Sequence, residues 1–376
     1  MSKILFINAC RAKSGGAVSH LIGILEKTEF RNYCFSEVHV ITYKKMFNKL
    51  LPIKNIILHT HPYLNKNIFF QLYWERFLLK KLLIDHNCDI LLNVDAGSVS
   101  NFSPSVVISQ DMLSFIPKEM NRYFFSISWI RLYILKFVQM NSFKKSDGII
   151  FLTEFAQNTI CRNNGILKKK SIVINHGLNQ IFLQDKANLI SKKNIKILYV
   201  SNVTPYKHHV SIVKAAKSLD DSHIKFEFIF IGGGKKKYLK KLKTEILKSK
   251  FKNVSFKLLP FIENKILPKF YKETDYVLFA SSCENMPITL LEGMASGKPL
   301  ISSNRGPMPE ILGEKAIYFD PENALSISNS IIQLIKINNI SEYVAPIKKK
   351  ALTYTWEKCS RLTYNFLLNT LEKIKK

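Results

Sequence analysis

Apolar and polar positions along the chain alternate between two textures. Short runs rich in β-branched and aromatic residues, bounded by polar clusters, predict strands at 3–8, 37–42, 90–93, 106–109, 148–152 and 172–174. Longer segments of helical period separate them, which is the signature of parallel βαβ units. A second strand series, at 196–201, 225–231, 254–258, 276–280 and 300–302, follows a polar gap. Residues 185–194 carry Lys186, Asn188, Ser191, Lys192, Lys193 and Asn194 and offer little to bury. They predict a boundary between two doubly wound α/β domains, 1–185 and 195–350, joined by a linker at 186–194. Ligands of such sheets bind at the carboxyl ends of the strands, so the cleft between two facing domains is the expected site.

Composition narrows the classes of function. With 376 residues, 47% of them hydrophobic, the chain is too apolar for disorder and long enough for about two cores. Its 56 basic and 28 acidic side chains leave a net charge of +28, which suggests a nucleic acid, an anionic membrane or a phosphorylated substrate as partner. Yet 48 of the basic residues are Lys and 8 are Arg, the residue on which base readout and bidentate phosphate recognition depend. The excess is also diffuse, +12 over residues 1–188 and +16 over the remainder. It reads mainly as solvated surface, with a part left for a membrane. The six cysteines are isolated and no histidines stand at metal-ligand spacing, so cytosolic thiols and no metal are expected. The apolar run 4–7 is too short for a signal-peptide core. The longest apolar stretch, 123–140, is interrupted by Arg131 and Lys136 and spans no bilayer. Most of its apolar face is expected to pack into the core, although Arg122, Trp129, Arg131 and Lys136 together have the composition of an interfacial segment.

The stretch 281–312, SSCENMPITLLEGMASGKPLISSNRGPMPEIL, carries the most chemistry. Asn285 and Pro287 signal a helix start, and Gly297 with Pro299 its end about ten residues on. Backbone amides near Met286, Ile288 and Thr289 would form an anion site suited to a diphosphate. At 100° per residue Ile288, Leu291, Met294 and Ala295 form the buried arc, with Glu292 at its edge, where a carboxylate needs a partner. Glu284 precedes the helix. The two carboxylates bracket the anion site and can accept hydrogen bonds from hydroxyls, which suits the sugar and ribose of a nucleotide sugar.

The string S-x-x-E-x-x-P-x-x-L-L-E-x-M-A-S-G-x-P, followed by G-x-x-P-E-I and Y-F-D-P, resembles the donor-binding signature of retaining glycosyltransferases of family four. The resemblance implies the GT-B architecture, two Rossmann-like domains facing a cleft, with a C-terminal helix (351–376, carrying Trp356) returning to the first domain. It implies that Glu292 holds the donor ribose, that Glu284 holds a hydroxyl of the transferred sugar, and that Lys207 grips the diphosphate. Asn202 stands where the family usually has Arg, and Arg305 is a candidate substitute. Gly15 and Gly16 match a glycine loop near the diphosphate. Gln110 stands where many relatives have histidine, which leaves Asp111 as a candidate for acceptor contact, against a turn role. His20 and His176 are expected to be structural. The implied substrates are a UDP- or GDP-linked sugar, with no further cofactor, and a lipid-linked or oligosaccharide acceptor in O-antigen or capsule assembly at the cytoplasmic membrane face.

Three rivals are weaker. The run Gly232-Gly233-Gly234-Lys235 hints at a P-loop, but Ile229 stands where glycine is needed and Lys236 where Ser or Thr is needed. A nucleic-acid-binding protein would want clustered Arg and aromatics. A sugar-nucleotide epimerase of the same architecture differs in needing no acceptor.

Overall fold

The computed structural model describes residues 3–13, 15–26, 30–162, 165–184 and 193–375. Two parallel sheets organise the chain. The first comprises β1 (Lys3–Asn8), β2 (Phe35–Ile41), β3 (Ile57–His59), β4 (Ile90–Asn93), β5 (Ser105–Ile108), β6 (Gly148–Phe151) and β7 (Ser171–Val173), in the order β3-β2-β1-β4-β5-β6-β7. The second comprises β8 (Asn194–Val200), β9 (Lys225–Ile231), β10 (Val254–Leu259), β11 (Tyr276–Phe279), β12 (Leu300–Ser303) and β13 (Ile317–Phe319), in the order β10-β9-β8-β11-β12-β13. In both, the winding reverses beside the first strand, so β1 with β4, and β8 with β11, open their carboxyl ends at a switch point. Every residue of β4, β5, β6, β11 and β12 is buried, because helices cover both faces of a parallel sheet. The pattern did not predict β3 and β13. Each has three residues, lies at a sheet edge and is only partly buried, so neither shows the continuous apolar run of a central strand.

The chain forms two compact units, one of residues 1–177 with 354–376 and one of residues 178–353. The division falls between Gly177 and Leu178; of the expected linker 186–194, residues 186–192 lie outside the described residues. The helix Trp356–Lys375 belongs to the first unit and packs on the helix Gly16–Glu26. Tyr364 is fully buried and its hydroxyl donates to the Ile24 carbonyl at 3.0 Å. Trp356 wedges against two glycines. A methyl group at Gly23 would lie 2.2 Å from the indole Cδ2, and one at Gly177 would lie 2.3 Å from the Trp356 backbone nitrogen. His20 and His176 line the same pocket, Nδ1 to Nδ1 at 2.9 Å, and burial holds His20 down to about 4 and His176 well below its ordinary value.

The helix Ile127–Lys145 departs from expectation. Of its nineteen residues only Leu132, Gln139 and Phe143 are buried. Ile127, Ile130, Ile134 and Phe137 form an exposed stripe, with Ile127 at 87% and the preceding Phe125 at 93% exposure. The physical reason is that apolar residues occupy both faces of this helix, and one narrow stripe suffices to cover the sheet. No helix among the described residues is long and apolar enough to cross a membrane.

Candidate functional site

In the second unit, loops at the carboxyl ends of three neighbouring strands are stitched together. After β8 the chain passes through 201–204 into a single turn, Pro205–Lys207, and then the helix His209–Asp220. The Tyr199 hydroxyl donates to the Lys207 carbonyl at 3.0 Å, and the Ser282 amide after β11 donates to the Tyr206 carbonyl at 2.9 Å. His208 Nε2 meets Ser282 Oγ at 2.8 Å. On the other side, Ser201 N donates to Ile231 O and Val203 N to Gly233 O, each at 2.8 Å. Gly232 has φ of 145°, and a methyl there would lie 2.4 Å from the Ser201 carbonyl oxygen. The glycine run is therefore a clasp for the 201–203 loop, a place where only glycine lets two backbones approach this closely.

The Lys207 ammonium forms an ion pair with the Glu284 carboxylate, and both side chains are largely buried. It also lies 5.4 Å from the Tyr206 ring centroid and 5.7 Å from that of Phe279, inside cation–π range. An ammonium has three donors, so one bond to Glu284 leaves two for a further anion. The helix Ile288–Ala295 begins beside this pair in sequence. Pro287 is its N-cap, no side chain caps it, and its first turn has no acidic residue, so the positive end of its dipole is uncompensated by the protein's own carboxylates there. Asn285, Met286 and Pro287 are buried, whereas Ile288 and Thr289 are half-buried.

Glu292 is deeper than the sequence pattern placed it. It is 2% exposed, not at the edge of a buried arc, because protein surrounds this helix: every residue from Leu290 to Ala295 is buried, the helix Ile340–Ala351 packs against it, and the Tyr271 hydroxyl donates to the Thr289 carbonyl. Gly293 meets β12 on the other side, where a methyl would lie 2.8 Å from Leu300 Cδ1. Glu292 Oε2 has no hydrogen-bond partner among the described residues. Desolvation pushes its carboxyl from about 4.5 up to about 8. Native proteins rarely leave a buried carboxylate oxygen unmet, and such an oxygen is poised to accept from ligand hydroxyls.

The remaining candidates are placed as follows. Asn202 is exposed in the 201–203 loop. Arg305 Nη2 lies 2.9 Å from Asp320 Oδ1 and 3.8 Å from Glu322 Oε2, so acidic groups already engage it. In the first unit Gly15 is exposed at φ of 62° and Gly16 opens the helix after β1. Asp111 Oδ1 accepts from the Leu113 amide at 2.9 Å, an Asx turn, and Gln110 Nε2 is buried without a partner among the described residues.

Sequence reasoning missed a polar network at the carboxyl ends of β1 and β4. Asn8 Nδ2, with two hydrogens to donate, lies 2.9 Å from Asn93 Oδ1, 3.1 Å from Glu75 Oε1 and 3.2 Å from Ser98 Oγ, while Arg11 Nε lies 3.4 Å from Glu75 Oε2. Glu75 is 1% exposed and sits on a π-helical turn, Trp74–Leu78, a distortion found often at functional sites. Only the rarity of a Glu in the run 68–79 signals it in sequence.

Residues 180–351 match the family model described as Glycosyl transferases group 1. Over 338 residues the chain is 24% identical to an uncharacterized glycosyltransferase of Methanocaldococcus jannaschii, covering 86% of this chain and 87% of that protein. Over 355 residues it is 20% identical to the O-antigen chain mannosyltransferase RfbU of Salmonella typhimurium, covering 93% and 94%. The crystal structure of Anabaena HepE in complex with UDP and glucose superposes with a TM-score of 0.74 at 19% identity, covering 98% of this chain and 99% of HepE. The fold is GT-B. Residues 180–351 thus carry the match to the group 1 glycosyltransferases, and the two relatives that cover most of the chain are both named as glycosyltransferases.

Proposed function

We propose that this chain is a retaining, family-four transferase that moves a hexosyl or deoxyhexosyl unit from a UDP- or GDP-linked sugar to a lipid-linked saccharide acceptor during bacterial surface-polysaccharide assembly. The observation that carries the reading is Glu292, a buried carboxylate with an unmet oxygen in the signature helix. Its oxygens accept from the ribose hydroxyls, while the amides of Met286, Ile288 and Thr289, with Asn285, Pro287 and Asn202 nearby, receive the diphosphate. Glu284, held by Lys207, accepts from a hydroxyl of the transferred sugar. As the glycosidic bond breaks, negative charge grows on the diphosphate, and Lys207 with the helix amides stabilises it in a site already organised for that charge. Attack from the same face lets the departing phosphate oxygen take the acceptor proton, which retains the anomeric configuration. This division of labour needs no metal at the diphosphate. Asp111, Gly15 and Gly16 are assigned to the unit that receives the acceptor. The names of RfbU and of the HepE complex support an O-antigen setting and a uridine donor respectively.

Thermal-shift screening against sugar nucleotides, followed by transfer assays and NMR of the product anomer, tests the reading. One UDP- or GDP-sugar should stabilise the protein and be consumed only with acceptor, giving product of the donor's anomeric configuration. Inversion, or conversion of the nucleotide sugar without an acceptor, would replace the reading.

We assign the exposed stripe of the helix Ile127–Lys145, with Phe124, Phe125 and the nearby Arg131 and Lys136, to peripheral contact with an anionic membrane at its cytoplasmic face. The chain should sediment with vesicles containing anionic lipid and not with neutral ones, and Phe125→Ser/Ile127→Ser should weaken this several-fold. Equal sedimentation with both vesicle types would remove the assignment.

A further inference from the structure

Three histidines from separate elements converge on one face of the first sheet. His39 is on β2, His59 ends β3, and His86 is the C-cap of the helix Leu79–Asp85. One ring nitrogen from each falls within 4.8 Å of the others. The geometry points to a binding site for a divalent late transition metal, of which zinc is the archetype, with His39, His59 and His86 as its three protein ligands.

The outer contacts support this. His39 Nε2 lies 2.8 Å from Glu37 Oε2, and His86 Nδ1 lies 3.0 Å from the Leu82 carbonyl oxygen. When each of these nitrogens donates, His39 Nδ1 and His86 Nε2 are left as lone-pair donors. A metal-bound histidine is usually oriented in this way, its second nitrogen donating to a carboxylate or backbone carbonyl. His39 Nδ1 already sits 2.8 Å from His59 Nε2. In a tetrahedral site with metal–nitrogen bonds of about 2.0–2.1 Å, ligand nitrogens lie about 3.3 Å apart, so these two rings, now edge to edge with centroids 5.0 Å apart and planes 13° apart, admit the ion by separating about half an ångström and turning their nitrogens toward a common point.

The surroundings are those of a three-ligand metal site with one open position. The Phe6 ring stacks on His39 at 4.2 Å, and Leu79 and Leu83 belong to the apolar cluster that includes Phe6. His39 is buried, whereas His59 and His86 are partly exposed, which gives the ion an entry path and leaves water to fill the fourth position. Three imidazoles suit zinc, cobalt, nickel and copper and disfavour magnesium and calcium. The bound ion would tie the β2–β3 edge to the helix that follows the π turn carrying Glu75, bracing the polar network of the same unit. No spacing in the sequence announces the site, because its ligands come from two strands and a helix end.

The test uses the full chain freed of any polyhistidine tag. After dialysis against zinc and then buffer, one zinc per chain should remain, Co(II) should give the visible absorption of a four- or five-coordinate site, and zinc should raise the melting temperature by several degrees. Both His59→Gln and His86→Asn should lose the retained metal and the thermal shift. X-ray absorption of the zinc-loaded wild type should show imidazole scattering, a readout that holds even if a variant folds poorly. A wild type that retains no zinc, or zinc coordinated without imidazoles, or equal retention by both variants would overturn the site.

Discussion

Glu292→Gln should make the free protein more stable at neutral pH while abolishing its use of the donor. Burial raises the Glu292 carboxyl from about 4.5 to about 8, so the folded state prefers the proton. The sign follows from linkage. Below pH 4.5 the group is protonated in both states and costs nothing; as pH rises toward 8 the unfolded chain ionises freely while the folded chain resists, and stability is lost. By pH 7 this amounts to at most about 3 kcal/mol. Glutamine keeps the shape without the charge, so its melting temperature should exceed the wild type's at pH 7–8 by several degrees, with the gain vanishing as pH falls to 4.5. Turnover should drop by about two orders of magnitude or more, because the amide cannot accept from both ribose hydroxyls. Donor binding to the wild type should release a proton near pH 7, which calorimetry in buffers of different ionisation enthalpy detects. A variant with wild-type stability and near-normal transfer would refute the placement of Glu292 at the donor.

Lys207→Ala should cost about two orders of magnitude in turnover for a different reason, the loss of positive charge where the leaving group's charge grows. The single variant also strands the largely buried Glu284 carboxylate, at about 3 kcal/mol of stability. The two effects separate in the double variant Lys207→Met/Glu284→Gln. It removes both charges together, so denaturant unfolding should return close to the wild-type midpoint while transfer stays lost. Recovery of transfer with recovery of stability would mean that Lys207 serves only to hold Glu284.

The central strands were legible because each is buried on both faces and reads as a continuous apolar run; β3 and β13, short and at edges, gave no such signal. The helix Ile288–Ala295 was legible from its proline and glycine boundaries. The depth of Glu292 was not, since helical periodicity assumes one face in water and here every residue from Leu290 to Ala295 is buried. Pairing across distance was equally hidden. Lys207 and Glu284 are 77 residues apart, and nothing local in either segment says that they meet. The stripe on the helix Ile127–Lys145 illustrates the opposite limit. Periodicity shows which apolar residues share a face, but not whether protein covers it.

The indole of Trp356, seated against Gly23 and Gly177, bears on the order in which the chain matures. Domains generally fold as units while synthesis proceeds from the N-terminus. Here residues 1–177 are complete long before Trp356 is made, since the whole second unit is translated in between. The first unit must therefore wait on the ribosome with the groove between the two glycines unfilled, and a nascent chain halted before residue 354 would present that bare groove to chaperones and proteases.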